Sequence, residues 1–136
     1  MNAAKAEDFM LSQVIGACPV AIFVLNDQHV ITHWNRACES LTGLSAEAMV
    51  GTRDGWRAFY DEPRPMLANL MLDGASEDVV RTLYGPQIRA SSVVIGGWEG
   101  TSYWNRRQVW LSFTVAPLLS LDGSVTGALE TVRLSY

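Results

Sequence analysis

The chain has 136 residues, of which 49% are hydrophobic and 18% are charged, and its formal net charge is −4. This length and composition fit one domain with a packed core and exclude a disordered tail. The ten Lys and Arg residues are scattered, whereas nucleic-acid-binding surfaces carry clustered basic side chains. We therefore expect no nucleic-acid partner.

The ends and the apolar runs give no sign of export or of membrane insertion. Residues 1–10 lack the apolar stretch of a secretory signal. The longest apolar run, residues 18–25, contains Pro19 and is far shorter than the ~20 residues that span a bilayer. Two cysteines, Cys18 and Cys38, do not indicate a disulfide framework. We expect a cytoplasmic chain that makes no membrane contact through this segment.

Hydrophobic periodicity and turn residues predict the elements in chain order. They are a helix over 6–17, strands 20–25 and 30–34, a helix over 36–41, a short helix from Ser45 to Gly51, an aromatic turn 56–60, helices 66–72 and 75–84, strand 90–95, loop 96–100, and strands 109–118 and 125–134. Strands at both ends of the chain with helices between them predict an α+β fold with an antiparallel sheet.

Several residues mark the helix ends in this pattern. Asn35 and Ser76 are predicted N-caps, because their side-chain oxygens can accept from the free amides of the next turn. Gly43 suits the left-handed C-cap position. Pro65 is predicted to open the helix over 66–72, since proline is favoured at a first helical position.

Two segments then resemble a known family. Residues 30–45, VITHWNRACESLTGLS, resemble the second strand and first helix of PAS domains, and residues 110–118, WLSFTVAPL, with Asp122-Gly123 resemble the last PAS hairpin. The resemblance covers about residues 19–132. It implies a five-stranded antiparallel sheet with short helices on one face, a cavity between them, an N-terminal helix in 1–18 and the PAS domain proper in 19–136.

The middle of the chain narrows the resemblance to one subtype. Residues 51–60, GTRDGWRAFY, look like a PAS subtype common in bacterial sensor kinases, diguanylate cyclases and chemoreceptors. The resemblance implies a non-enzymatic sensory or protein-interaction domain in signal transduction, such as a two-component system, with a kinase, cyclase or chemoreceptor domain as output partner. The usual closing Asp-Ile-Thr is absent, and residues 132–136 read VRLSY instead.

Strand alternation and the aromatic turn define a candidate pocket for an unknown small molecule. On strand 109–118, Leu111, Phe113 and Val115 share one face, and Trp110 lies on the other. The predicted lining residues are Val24, His33, Trp56, Phe59, Met66, Leu70, Leu111, Phe113 and Leu129. No catalytic or metal-ligating residues are predicted, because the sequence holds no metal-ligand cluster, catalytic triad or phosphate loop.

No cofactor is expected, although haem and flavin remain open. Where the resemblance implies a flavin-bonding cysteine and a flavin-contacting glutamine, this chain has Asp54 and Leu129. The helix over 66–72, on which haem-binding relatives place a histidine, has none, although His33 on its strand could serve as an axial ligand. A haem- or other cofactor-bearing gas or redox sensor of the same fold is therefore a second hypothesis.

The N-terminal helix predicts a homodimer. Its apolar side carries Met10, Leu11, Val14 and Ile15, and helices this short are marginal alone in water. We expect the helix and the outer sheet face around Trp110 to pair with a second copy.

Two more hypotheses fit the sequence. One is a small α+β cavity enzyme, for which Asp54, Asp61 and Glu62 near the aromatic turn would supply the acids. The other is a dimerisation module with an empty core. The enzyme would need a polar pair inside the cavity, and the sequence does not display one.

Overall fold

The computed structural model describes residues 2–135. In chain order the elements are α1 Ala3–Ala17, β1 Ala21–Asn26, β2 Ile31–Trp34, α2 Arg36–Thr42, α3 Ala46–Met49, a 3₁₀ helix Gly55–Ala58, α4 Leu67–Leu72, α5 Glu77–Tyr84, β3 Arg89–Ala90, β4 Trp98–Trp104, β5 Val109–Leu119 and β6 Val125–Leu134. Met1 and Tyr136, the outer limits of the predicted segments 1–18 and 19–136, lie outside the described residues. No helix within 2–135 is both long and apolar enough to cross a bilayer.

The strands form one antiparallel sheet in the order β2-β1-β6-β5-β4-β3. The predicted α+β class with an antiparallel sheet is confirmed. The predicted strand number of five is wrong, because the sheet has six strands. The extra strand arises from β3 and β4, which occupy the segment where the sequence predicts one strand and a loop.

Residues 91–97 form bends and a turn, so that of the predicted strand 90–95 only Ala90 lies in a strand, β3. The Ser91 hydroxyl oxygen accepts from the amides of Val93 and Val94, at 3.1 and 3.0 Å, and so withdraws both amides from any strand pairing. The predicted loop 96–100 instead runs into β4, which pairs with β5 from Trp98 to Trp104. The prediction of a strand rested on the apolar residues of this segment, whereas the hydrogen bonds to the Ser91 hydroxyl determine the path of its backbone.

The predicted helix caps are mostly confirmed. The Asn35 side chain accepts from the Cys38 amide at 2.9 Å, the Ser76 hydroxyl accepts from Val79 at 3.3 Å, and Gly43 has a φ of 78°. Pro65 does not open the fourth helix. That helix starts at Leu67, after Met66 as N-cap.

The two faces of the sheet pack against different partners. The inner face carries the main core, into which α4 packs against β5 and β6. Leu111, Phe113 and Val115 are buried there, and Trp110 points outward with 52% of its surface exposed, as the alternation predicts. The outer face carries a small cluster of Ile15, Ile22 and Val24 beneath the end of α1. The N-terminal helix therefore contributes to a second, separate core.

Candidate functional site

Five of the predicted pocket residues lie together in the inner core. Phe59, Met66, Leu70, Leu111 and Phe113 are all buried in the cluster between the sheet and the short helices. The Phe59 ring is the centre of this group and meets the Phe113 ring edge-on, with 6.4 Å between centroids. These five residues therefore form part of the packed core on the inner face of the sheet.

Val24, His33 and Leu129 lie on the opposite face of the sheet, so their assignment to the pocket is wrong. Val24 pairs in register with His33 on β2 and with Leu129 on β6, and paired residues of an antiparallel sheet share a face. Val24 packs in the outer cluster, with Leu129 against it. Trp56, also assigned to the pocket, is half-buried on the 3₁₀ helix and lies outside the core cluster.

The inner face instead presents Glu130, which the sequence analysis did not select. Its side chain is 2% exposed, and its Oε1 accepts from the Ala68 amide at the start of α4, at 2.9 Å. Burial raises the pKa of this carboxyl to about 8, although the bond from Ala68 lowers it. Residues two apart on a strand share a face, and Glu130 is two residues from both Ala128 and Val132. An acid between two apolar residues on the same face of β6 is the sequence signal that could have identified Glu130.

The titratable groups around Glu130 are neutral. Burial raises the pKa of Tyr60, of Tyr84 and of the Cys38 thiol, and the Glu130 carboxyl adds to each of these increases. The Tyr60 hydroxyl donates to the Tyr84 oxygen at 2.9 Å, and Tyr84 donates to the Pro65 carbonyl at 2.6 Å. These bonds fasten α5 to the loop that precedes α4.

Asn35 joins α1 to the sheet. Its Oδ1 accepts from the amides of Ile22 and Cys38, both at 2.9 Å, and its Nδ2 donates to the carbonyls of Ile15 at 3.0 Å and Val20 at 2.9 Å. The side chain is 4% exposed. One buried amide thus holds the last turn of α1, the start of β1 and the first turn of α2 in fixed relative positions.

The exposed side of α1 forms an apolar face. We name it the α1 patch, and its members Met10, Leu11 and Val14 are between 51% and 61% exposed. The helix docks through Ile15, with Ser12 and Gly16 lining a groove against β2. At about 100° per residue, Met10 and Val14 point away from that docked side. The α1 patch therefore faces away from the rest of the chain.

A second exposed group lies on the outer sheet face. The rings of Tyr103 on β4 and Trp110 on β5 pack edge-on, with 5.5 Å between centroids, and both are exposed. Aromatic side chains of this kind have a large apolar area and a polar tip, and they are enriched at protein interfaces. The outer face of the sheet thus keeps apolar surface that α1 leaves uncovered.

The two histidines lie in different places, His33 on the outer face of the sheet and the half-buried His29 against α4. His33 lies in the groove beside α1 and contacts the Thr32 hydroxyl at 2.9 Å. The His29 ring lies between Asn69, at 2.8 Å from Nδ1, and Asp73, at 3.1 Å from Nε2. Within residues 2–135, no three His, Cys, Asp or Glu side chains are grouped as metal ligands.

The family model for the PAS fold matches residues 10–53, from within α1 to the segment after α3. No curated protein sequence gives a significant match.

Solved structures resemble the whole chain. A PAS domain from Colwellia psychrerythraea is 17% identical with a TM-score of 0.56, covering 95% of this chain and 97% of that one. A PAS domain from a two-component sensor histidine kinase is 12% identical with a TM-score of 0.53, covering 97% and 99%. An RNA-binding light-oxygen-voltage receptor is 16% identical with a TM-score of 0.57, and this chain, 98% of which is covered, spans 34% of its length.

Proposed function

We propose that this chain, a domain of the PAS fold, is a non-enzymatic signal-sensing input domain that passes a change in its inner core to a partner through α1. The observation that carries the proposal is the combination of two features of α1. The helix exposes an apolar face, and Asn35 ties its last turn rigidly to the sheet. An element that is both anchored and unpartnered is suited to transmit a movement of the sheet.

Few contacts separate the inner core from α1. β1 pairs with β6, which carries Glu130 on the inner face, and the Ile22 amide of β1 donates to Asn35. Because packed interiors are close to solid density, a shift of β6 displaces β1 rather than being absorbed. Asn35 then carries the displacement to the end of α1. We infer that the output domain, a kinase, cyclase or chemoreceptor module, reads the position of this helix.

We further propose that the domain acts as a homodimer through the α1 patch and the outer sheet face. The patch residues are already about half buried, so burying Met10, Leu11 and Val14 fully contributes roughly 2–5 kcal/mol per protomer. Association costs about 4–15 kcal/mol, so the patch alone is marginal. The exposed Tyr103 and Trp110 rings supply the additional surface, and the expected dimer is weak.

Light scattering on the full chain across the micromolar range tests the dimer. We expect a concentration-dependent dimer whose dissociation constant rises at least tenfold in Val14→Glu, since each dimer contains the charge twice. Val79→Glu is the matched control, because Val79 is an exposed valine on a different helix. A monomer at every concentration, or equal effects of the two substitutions, contradicts the proposal.

The inner core is the proposed binding region for a small molecule, and we expect neither haem nor flavin in the isolated protein. The position of His33 on the outer face supports this expectation, as does Asp54 where flavin-bonding relatives carry cysteine. Absorption spectroscopy of the purified chain is the test. A stoichiometric Soret or flavin band would refute the expectation, and loss of a Soret band in His33→Ala would identify that residue as the ligand.

A further inference from the structure

The Glu130 carboxyl is buried in the core, and no positive side chain among residues 2–135 pairs with it. The ion pairs among residues 2–135 join His29 to Asp73, Arg81 to Glu77, Arg89 to Glu99 and Arg106 to Asp61. None of them includes Glu130. A buried carboxylate without a cation is costly, so the folded state favours the neutral acid.

No element packed around Glu130 within residues 2–135 supplies a cation to pair with its carboxyl. The strands β1 and β5 and the helix α4 contain no titratable side chains. The facing groups from the other elements are Tyr60, Tyr84 and Cys38, each of which stays neutral. Arg64, the cation beside the two tyrosines, stacks on their rings at 4.7 and 4.5 Å and donates to the Leu83 carbonyl.

One bond connects this acid to the short helix α4. The Ala68 amide of α4 donates to Glu130 Oε1, and α4 is only six residues long. On its other side α4 is held by His29, through Asn69 and Asp73. The helix therefore sits between Glu130 in the core and the pair of His29 and Asp73 outside it.

We propose that Glu130 is a proton-binding site that couples pH to the docking of α4: the protonated acid keeps the helix on the sheet, and loss of the proton loosens it. The inference rests on the proposed sensing role and names the proton as a signal for it. When the proton leaves, the bond from the Ala68 amide becomes stronger but does not offset the burial of the charge, and displacement of α4 would open the carboxylate to water.

The sign and size of the effect follow from proton linkage. Since the pKa of Glu130 is raised in the folded state, from its ordinary value of 4.5 to about 8, raising the pH favours states in which the carboxyl is exposed. Between pH 6 and pH 8, the equilibrium constant for opening of α4 should rise on the order of 50-fold if opening exposes the carboxyl fully.

NMR titration of the full-length chain tests the site directly. With ¹³C-labelled glutamate, we expect one carboxyl resonance with a midpoint near pH 8. The Ala68 amide resonance should shift with the same midpoint. Both transitions should be absent in Glu130→Gln, which keeps the volume and the acceptor, and present in Glu62→Gln, a surface control. A shift of Ala68 that persists in Glu130→Gln would assign the response to another group and refute the proposal.

Hydrogen exchange of α4 measures the coupling. Protection factors, corrected for the intrinsic pH dependence of exchange, should fall on the order of 50-fold from pH 6 to pH 8 in the natural chain and stay constant in Glu130→Gln. If Glu130→Gln does not fold, the proposal is tested by the carboxyl titration of the natural chain alone. A midpoint below pH 6 in that titration overturns the proposal. The light-scattering test of the dimer does not depend on Glu130. A chain that is monomeric but shows the Glu130 midpoint near pH 8 would therefore refute only the proposed output through α1.

Discussion

Replacing Asn35 with alanine tests the proposed connection between α1 and the sheet. The substitution removes one acceptor and one donor group from a site that is closed to water. It leaves the amides of Ile22 and Cys38 and the carbonyls of Ile15 and Val20 without their side-chain partner. The perturbation therefore affects three elements at once, although only one side chain changes.

The expected loss can be summed from these four bonds. The bond to the Cys38 amide is an N-cap, whose loss typically costs about 1 kcal/mol. The three others are buried and are worth about 0.5–1.5 kcal/mol each, with a further penalty where a group stays unsatisfied. Asn35→Ala should lower the free energy of unfolding by roughly 3–5 kcal/mol, a large share of the ~5–15 kcal/mol that stabilises a domain.

Urea unfolding followed by circular dichroism measures this loss. Ser45→Ala is the control, because Ser45 caps α3 through a single exposed bond to the Ala48 amide. It should cost about 1 kcal/mol. Asn35→Asp keeps the two accepted bonds and loses the donated ones, so it should still release the end of α1. Equal losses for Asn35→Ala and Ser45→Ala would show that Asn35 is only a helix cap and would refute the tethering role.

Two further predictions concern the core. The free energy of unfolding should fall by about 2 kcal/mol between pH 6 and pH 8, because the unfolded chain releases the Glu130 proton more readily, and Glu130→Gln should flatten that slope in urea titrations. Gly100→Ala should destabilise the domain by about 1–3 kcal/mol, since the new Cβ would clash with Ile88 Cδ1 and lie 3.1 Å from the Gln87 carbonyl oxygen. Gly16→Ala should stabilise α1 slightly, because nothing lies within 4 Å of the added Cβ and alanine favours the helix. Thermal unfolding compares the two variants, and a lower melting temperature for Gly16→Ala than for Gly100→Ala would contradict the packing argument.

The sequence alone determined the features that depend on neighbouring residues. The caps at Asn35, Ser76 and Gly43 follow from side-chain chemistry within one turn, and β6 begins and ends where its residues predict. The faces of β5 also follow, because Leu111 and Phe113 alternate with polar or exposed residues. Together with the two PAS-like segments, these local signals were sufficient for the fold class.

The tertiary structure decided which strand faces meet the core. All of β1 from Ala21 to Leu25 is buried, since α1 covers its outer side, so alternation could not show that Val24 faces outward. Leu129 on β6 pairs with Val24, so assigning Val24 to the inner face assigned Leu129 to it as well. Its neighbour Glu130 was therefore placed on the outer face, although it lies on the inner one. In β4, Gly100 lies close to Ile88, which precedes β3, and this contact is between residues that are distant in the sequence. These features arise from packing across the fold, where the side of a strand that becomes buried depends on which distant element covers it.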